Sequence, residues 1–560
     1  MHRISRSTVA VLLSIALFSA CNKIPDHARY IPKDAVAVIS INLKALSKKV
    51  AWNMITGSKL FKEMQKRIPE KSTKDAMEGI ENAGIDALNI FYVYVKTDVR
   101  FTGGNKVTGL VPLSDADKWE AYVRKVFPQA VITQHGERKE AAIGTDMFVS
   151  WNKNLLIIMN VISKQPAGSK IGSSDVPDNM LSGQGNPGMD SVALSAEMDN
   201  VFATTAENSI LGNKHFSTLE MAGHDITFWL NYDQLMSQYS GDMAEKMGMS
   251  LNGALWKDAA FSAGFDFKKG KITGDMRYFM SDSMKEIGTE LGATNADKDM
   301  MERLPNQNMD ILLAMHISPK GIKEILEKTG YLGLANVALS TQSMNVDDVL
   351  GAFSGDMAIV MNDFSLHSES VTDSFMGQAV VHQNQKPSLS MSYVIKLNKK
   401  EDFQKLVKLA KDNGLQSMGD GFVIPLGEKD SVYMMMNDQY FIASNKYANA
   451  TGVLAGSFKS QKMPAPVETE VMGHPVAAYI DVQQLFKNVD NNITHSAHDS
   501  AMIVESKKLI SSFSLNGGAF KDNAFEYHMD INFSNQDENS IIELMDYGMR
   551  MSDADKAINK

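Results

Sequence analysis

The chain has 560 residues, 44% hydrophobic and 22% charged, with a formal net charge of −10. Such a composition excludes a largely disordered chain, and the length exceeds what one core serves, so two or more domains are expected. The acidic balance and the lack of a dense basic stripe argue against nucleic acid as a partner.

The first element is a leader. Arg3 and Arg6 precede an apolar run, Val9–Phe18, which is followed by Ser19, Ala20 and Cys21. A basic start, a short apolar stretch and small residues before the cut make a secretory signal. The run falls short of the roughly 20 apolar residues that span a bilayer. Cys21 is the only cysteine, so there are no disulfides, and its place right behind the signal reads as a lipobox. Residues 1–20 are then a signal peptide, Cys21 the lipidation site and 21–33 a lipidated tether. Two or more acyl chains, at about 0.8 kcal/mol per buried methylene, hold firmly. The membrane is thus an expected partner through the anchor. The expected address is the cell envelope, as an outer-membrane lipoprotein facing periplasm or surface.

Behind the anchor, one pattern recurs four times. β-type runs end at Ile41, Leu230, Ile317 and Ile480. Asn42, Asn231, Ser318 and Asp481 follow as N-cap residues, and Leu46, Leu235, Ile322 and Leu485 complete the spacing of a hydrophobic staple. A second pattern occurs twice: Val111–Leu113 leads to Ser114 and Asp117, and Val394–Leu397 to Asn398 and Glu401, each spaced as a capping box. Hairpins follow at Phe148–Asn160 and Tyr433–Asn445, opened by Asn152 and Asn437. Two more are expected to turn at Lys269-Gly270 and Asp522-Asn523. The pieces keep the same order, which implies an internal duplication over roughly 28–290 and 305–545. The expected architecture is α+β, with antiparallel or mixed sheets and helices packed on one face. Residues 34–293 form the first half, 294–308 a polar linker, 309–545 the second half and 546–560 a C-terminal tail. The first half carries an extra Gly/Ser/Pro-rich loop around 163–190.

Motifs for chemistry are sparse. Gly183, Gly185 and Gly188 match GxGxxG, but a dinucleotide site needs a strand before and a helix after it. Here a loop precedes, and Ser191–Ala196 reads as a strand, so no cofactor is expected. His495 and His498 would share a helix face as weak metal candidates, with no third ligand identifiable. A surface pair is the favoured reading. His224 and His474 precede matching strands, which suits a framework role. There is no nucleophile elbow or P-loop, and no catalytic residue is assigned. The 37 methionines read as core filler, and Trp119, Trp151 and Trp229 as core aromatics. Ser191, Ser283, Ser431 and Ser500 each follow Asp, which resembles a short O-glycosylation signal of Bacteroidales-type envelope proteins.

The lipobox with CNKIPDHARYIPKDAVAVISINLKAL, the chain length and the duplicated body together resemble a Bacteroidales-type envelope lipoprotein family, a domain of unknown function. The resemblance implies an envelope location and transfers no catalytic or binding residue. The expected function is that of a non-enzymatic binding or assembly lipoprotein whose partner is an envelope protein or glycan. One alternative is an envelope hydrolase, which a pocket with paired carboxylates would favour. Another is a lipid or lipoprotein carrier, which needs a large apolar cavity.

Overall fold

The computed structural model describes residues 23–50, 80–97, 105–143, 147–162, 191–236, 256–375, 378–415, 417–418, 421–426, 430–489 and 497–558. The expected signal peptide, Cys21, the GxGxxG stretch and His495 lie outside them. The chain divides into two compact units: Met1–Thr56, Phe61–Gln238 and Ser262–Asp266 form the first, and Gly57–Leu60, Tyr239–Phe261 and Phe267–Lys560 the second.

The first unit contains strands β1 (Ala37–Asn42), β2 (Ile90–Thr97), β3 (Asn105–Pro112), β4 (Thr133–His135), β5 (Arg138–Ile143), β6 (Met147–Trp151), β7 (Leu155–Ile162) and β8 (Ile226–Asn231). Its helices are α1 (Leu43–Lys49), α2 (Ala116–Val126), α3 (Ser191–Phe202) and α4 (Lys214–Ala222). The strands run antiparallel in the order β8-β1-β2-β3-β7-β6-β5-β4. Alternation along β5 and β6 sends Ala141, Ile143, Val149 and Trp151 to one face, where Trp119 and Val123 of α2 pack on them.

In the second unit the strands are β9 (Ala260–Lys268, shared with the first), β10 (Lys271–Phe279), β11 (Met309–His316), β12 (Phe353–Phe375), β13 (Gln378–Leu397), β14 (Ser417–Met418), β15 (Gly421–Pro425), β16 (Ser431–Met436), β17 (Tyr440–Ser444), β18 (Val476–Asp481), β19 (Asn488–Val489), β20 (Ile510–Lys521) and β21 (Ala524–Phe533). The helices are α5 (Lys285–Leu291), α6 (Lys298–Glu302), α7 (Pro319–Thr329), α8 (Leu332–Ser340), α9 (Val346–Gly351), α10 (Lys400–Asp412), α11 (Tyr447–Ala455), α12 (Val482–Lys487), α13 (Ala497–Leu509) and α14 (Ser540–Ile558). Here the run β18-β11-β12-β13-β17-β16-β15-β14 repeats the first unit's order strand for strand. A β12–β19 contact is parallel, so the sheet is mixed. Leu312, Val360, Val394 and Ile442 centre its core. The protein is α+β and antiparallel in the main. Among the described residues no helix is long and apolar enough to cross a membrane.

The four expected caps form. Asn42 accepts from the Ala45 N–H at 3.0 Å, Asn231 from Gln234 at 3.1 Å, Ser318 from Gly321 at 3.3 Å and Asp481 from Gln484 at 2.8 Å. The hairpin turns also match. Asn152 accepts from Asn154 and Leu155, and Asn437 from Gln439 and Tyr440. Asp522 and Asn523 take left-handed φ at the second expected turn, as Gly270 does at the first.

Several expectations need correction. Ser114 and Asn398 do not cap. Asp115 caps α2, Lys399 precedes α10 without a side-chain cap, and the Ser114 hydroxyl donates to the Gly84 carbonyl at 3.0 Å. Ser191–Ala196 opens helix α3 instead of a strand, because Leu194, Met198 and Val201 bury one helical stripe. The stretch 294–308 is no linker: Met300, Met301 and Leu304 are fully buried, and Asp297 caps α6. Residues 294–308 lie wholly within the second unit, and the last crossing between units falls at 266/267, after which β10 pairs with β21 along its whole length. Of the expected 21–33 tether, the described part is not free, because Ala28 and Ile31 are buried and His27 Nε2 lies 2.8 Å from the Ile90 carbonyl. The tail from 546 continues α14, where Arg550 Nε donates to Glu505 at 2.5 Å.

Gly84 is one position that only glycine suits. Its φ is +76°, and an added Cβ would lie 2.1 Å from the Asp115 carbonyl oxygen, a backbone atom. A Gly84→Ala substitution is expected to destabilise the first unit by about 2–4 kcal/mol, the left-handed penalty plus overpacking. Urea unfolding followed by tryptophan fluorescence reads this out.

Candidate functional site: a charged cleft on the first unit

The face of β4–β6 opposite α2 carries a different set of side chains. Thr133 and His135 alternate along β4, and Arg138, Glu140 and Ala142 along β5. Helix α3 stands against this face. Its residues Val192, Ser195, Ala196 and Asp199 follow the i, i+3, i+4, i+7 spacing and line a cleft of about 530 Å³. That volume lies in the range of small-molecule sites.

Arg138 organises the polar end. It is 9% exposed, and it donates from Nη1 to Asp199 Oδ1 at 2.7 Å. Its Nη2 reaches Glu140 Oε2 and the Ser195 carbonyl, both at 3.4 Å. The guanidinium carbon also lies 5.4 Å from the Phe202 ring centroid. Glu140, 7% exposed, accepts the Ser195 hydroxyl at 2.7 Å. His135 is half-exposed, with Nε2 3.4 Å from Asp199 and Nδ1 3.8 Å from Glu140. The Arg138 hydrogen bond holds the Asp199 carboxyl below its ordinary range, aided by the charges of Arg138 and His135.

This pocket does hold paired carboxylates, the feature that would favour a hydrolase. Both, however, are tied to one guanidinium. A general acid needs a raised pKa, and Asp199 is shifted the other way. The Ser195 hydroxyl donates to Glu140, whose other oxygen is bound by Arg138, and not to His135.

The second unit supplies an internal control. At the topologically equivalent place, after β17, helix α11 buries Ala450 and Val453 on Tyr440, Ile442 and Met463. The fold therefore packs the helix closely on the strands here, with Asp299 bonded to the Tyr440 hydroxyl and Arg303 to the Val453 and Leu454 carbonyls, where the first unit leaves a cleft.

A second polar cluster lies deeper in the first unit. Ser40 sits opposite both Tyr92 and Thr227 across β1, β2 and β8. Glu220 of α4 accepts all three hydroxyls: Ser40 at 3.1 Å, Thr227 at 2.6 Å and Tyr92 at 2.9 Å. Burial pushes the Glu220 carboxyl up, against those hydrogen bonds and the charge of His224. The same three register positions in the second unit are Ala314, Ala358 and Ala477. All four members are buried, so the cluster is closed to ligands.

Among the residues read from the sequence, His224 pairs with Asp266 at 3.0 Å, which fits a framework role. His498 stands at the start of α13, with its side chain outside the described set. Among the described residues no group of three or more His, Cys, Asp or Glu side chains is placed to hold a metal ion. Trp119, Trp151 and Trp229 are buried in the core. The cleft residues were not singled out in the sequence. Their only local signal is the alternation in β5, and reading 191–196 as a strand hid the helical spacing of α3.

No protein-family model matches the chain, and no curated protein matches it. Among solved structures, crystal form III of TP0453 matches with a TM-score of 0.23 and 8% identity, covering 49% of this chain and 89% of that one. Crystal form IV of TP0453 matches with a TM-score of 0.22 and 10% identity, covering 44% and 80%. Resemblance at that level carries nothing over to the residues of the cleft.

Proposed function

We propose that this is a lipid-anchored, non-enzymatic binding protein of the cell envelope, held by Cys21 and engaging an envelope protein or glycan through the cleft beside Glu140 and Asp199. The observation that carries the reading is the contrast between the two copies of one topology: α3 and the strands leave a cleft lined by Glu140, Asp199 and His135 in the first, whereas α11 packs Ala450 and Val453 onto Tyr440 and Ile442 in the second. The anchor reading rests on the signal and lipobox in the sequence. Packing of Ala28 and Ile31 soon after Cys21 would keep the first unit close to the bilayer.

Two measurements test this. Cys21→Ser should move the protein from the membrane pellet to the soluble fraction, and retention in the pellet would count against the anchor. Cross-linking in intact envelopes should capture a partner with the wild-type chain and lose it with Asp199→Asn. A substrate turned over by wild type and not by Glu140→Gln would sink the non-enzymatic reading.

A further inference from the structure

We infer that the cleft takes a primary ammonium group carried on a short apolar stem, a deepening that rests on the binding role proposed for it. The argument is one of donors and acceptors. Both Nη atoms of Arg138 are engaged by Asp199, Glu140 and the Ser195 carbonyl. The Ser195 hydroxyl proton is directed to Glu140, and the Thr133 hydroxyl to the Glu140 carbonyl at 3.4 Å. The protein has thus turned these donors inward. What faces the open space is the half-exposed Asp199 carboxylate and the half-exposed His135 imidazole, with Glu140 beside them. With a neutral imidazole, two carboxylates against one guanidinium leave the polar end formally negative, which repels an anion.

The rest of the wall sets the remainder of the ligand. Val131 and Val192 stand at the mouth, 74% and 76% exposed, and Ala142 and Phe148 complete the lining. A stem of a few methylenes would cover that apolar surface, at about 25 cal/mol per Å² removed from water. A quaternary ammonium calls for an aromatic cage. Phe148 and the His135 imidazole are the only rings among the described residues that line this cleft, too few for a cage, and its carboxylate oxygens call for N–H donors. Lysine side chains and small alkylamines share this chemistry.

The test is calorimetric titration of the full-length protein in detergent with four probes: 1,5-diaminopentane, N-acetyl-lysine amide, tetramethylammonium and pentanoate. The two primary amines should bind, or one of them, and Asp199→Asn should weaken binding tenfold or more with an unchanged melting temperature. Binding of the free diamine alone would point to a small-molecule ligand, and binding of the lysine amide alone to a polypeptide side chain. Pentanoate or tetramethylammonium binding as well as the amines would overturn the ammonium assignment while leaving the cleft a binding site. Binding by none of the probes, with envelope cross-linking lost in Asp199→Asn, would also overturn the assignment and leave the binding role standing. Binding by none, with cross-linking unchanged, would remove both. Val192→Lys places an ammonium on an apolar stem at the mouth of the cleft and should suppress amine binding without touching the carboxylates.

Discussion

Glu220→Ala is expected to lower the stability of the first unit by about 2–4 kcal/mol, whereas Glu220→Gln should cost little at neutral pH. Alanine strands the hydroxyls of Ser40, Tyr92 and Thr227 in a dry site, and each unpaired buried group costs about 1–3 kcal/mol. Ser40 and Thr227 still face each other at 2.5 Å, and one fewer desolvated carboxylate offsets part of the loss, which keeps the total below the sum. Glutamine keeps the shape and an acceptor oxygen, and Tyr92 can accept from its amide. The pair also separates by pH. Burial raises the folded-state pKa of Glu220 above its ordinary 4.5, so the folded chain holds that proton more tightly than the unfolded one. Wild type therefore loses stability as pH rises from the unfolded value through the raised folded value. Glu220→Gln lacks that slope. Denaturant melts across the acid range should show the wild-type curve falling relative to Gln, and parallel curves would contradict the buried-carboxyl account.

Arg138→Met should cost about 3–5 kcal/mol at neutral pH, the usual penalty for removing one partner of a buried ion pair. Nearly all of that comes from Glu140, which is 7% exposed. Asp199 is half-exposed, so water screens its share. Arg138 lowers the folded pKa of Asp199, so its contribution is present above the unfolded carboxylate range and is lost as pH falls through the folded value. The Asp199 share of the gap between wild type and Arg138→Met should then shrink on acidification. Arg138→Lys should recover only part of the loss, because one ammonium cannot fork to Asp199, Glu140 and the Ser195 carbonyl together. A gap that stays constant with pH would mean that the bond to Asp199 adds nothing and that Arg138 acts through Glu140 and its packing on Phe202.

Local signals were readable where cause and effect lie within a few residues. The caps at Asn42, Asn231, Ser318 and Asp481 each bond an N–H three positions on, and Asn152 and Asn437 close their turns within the same hairpin. Such bonds need no partner from elsewhere in the chain. The failures lie where the partner is distant. Ser114 looks like a cap but is drawn to Gly84, 30 positions earlier. The 294–308 stretch looks polar because its charges outnumber Met300, Met301 and Leu304. Yet Asp299 is taken up by Arg303, Lys459 and the Tyr440 hydroxyl, and the apolar residues go into the core.

The sequence by itself determined the α+β class and the duplication, because alternation, capping and turn chemistry act over short separations and repeat in both halves. It also carries the basic and apolar run that leads to Cys21. Only the tertiary structure decided that the halves differ in what they pack at the place of the cleft. The cleft exists because β5 and α3 meet across 61 residues, from Arg138 to Asp199, and the Glu220 cluster because β1, β2 and β8 align Ser40, Tyr92 and Thr227. Convergence of charges from distant segments is a property of packing, and no local spacing encodes it.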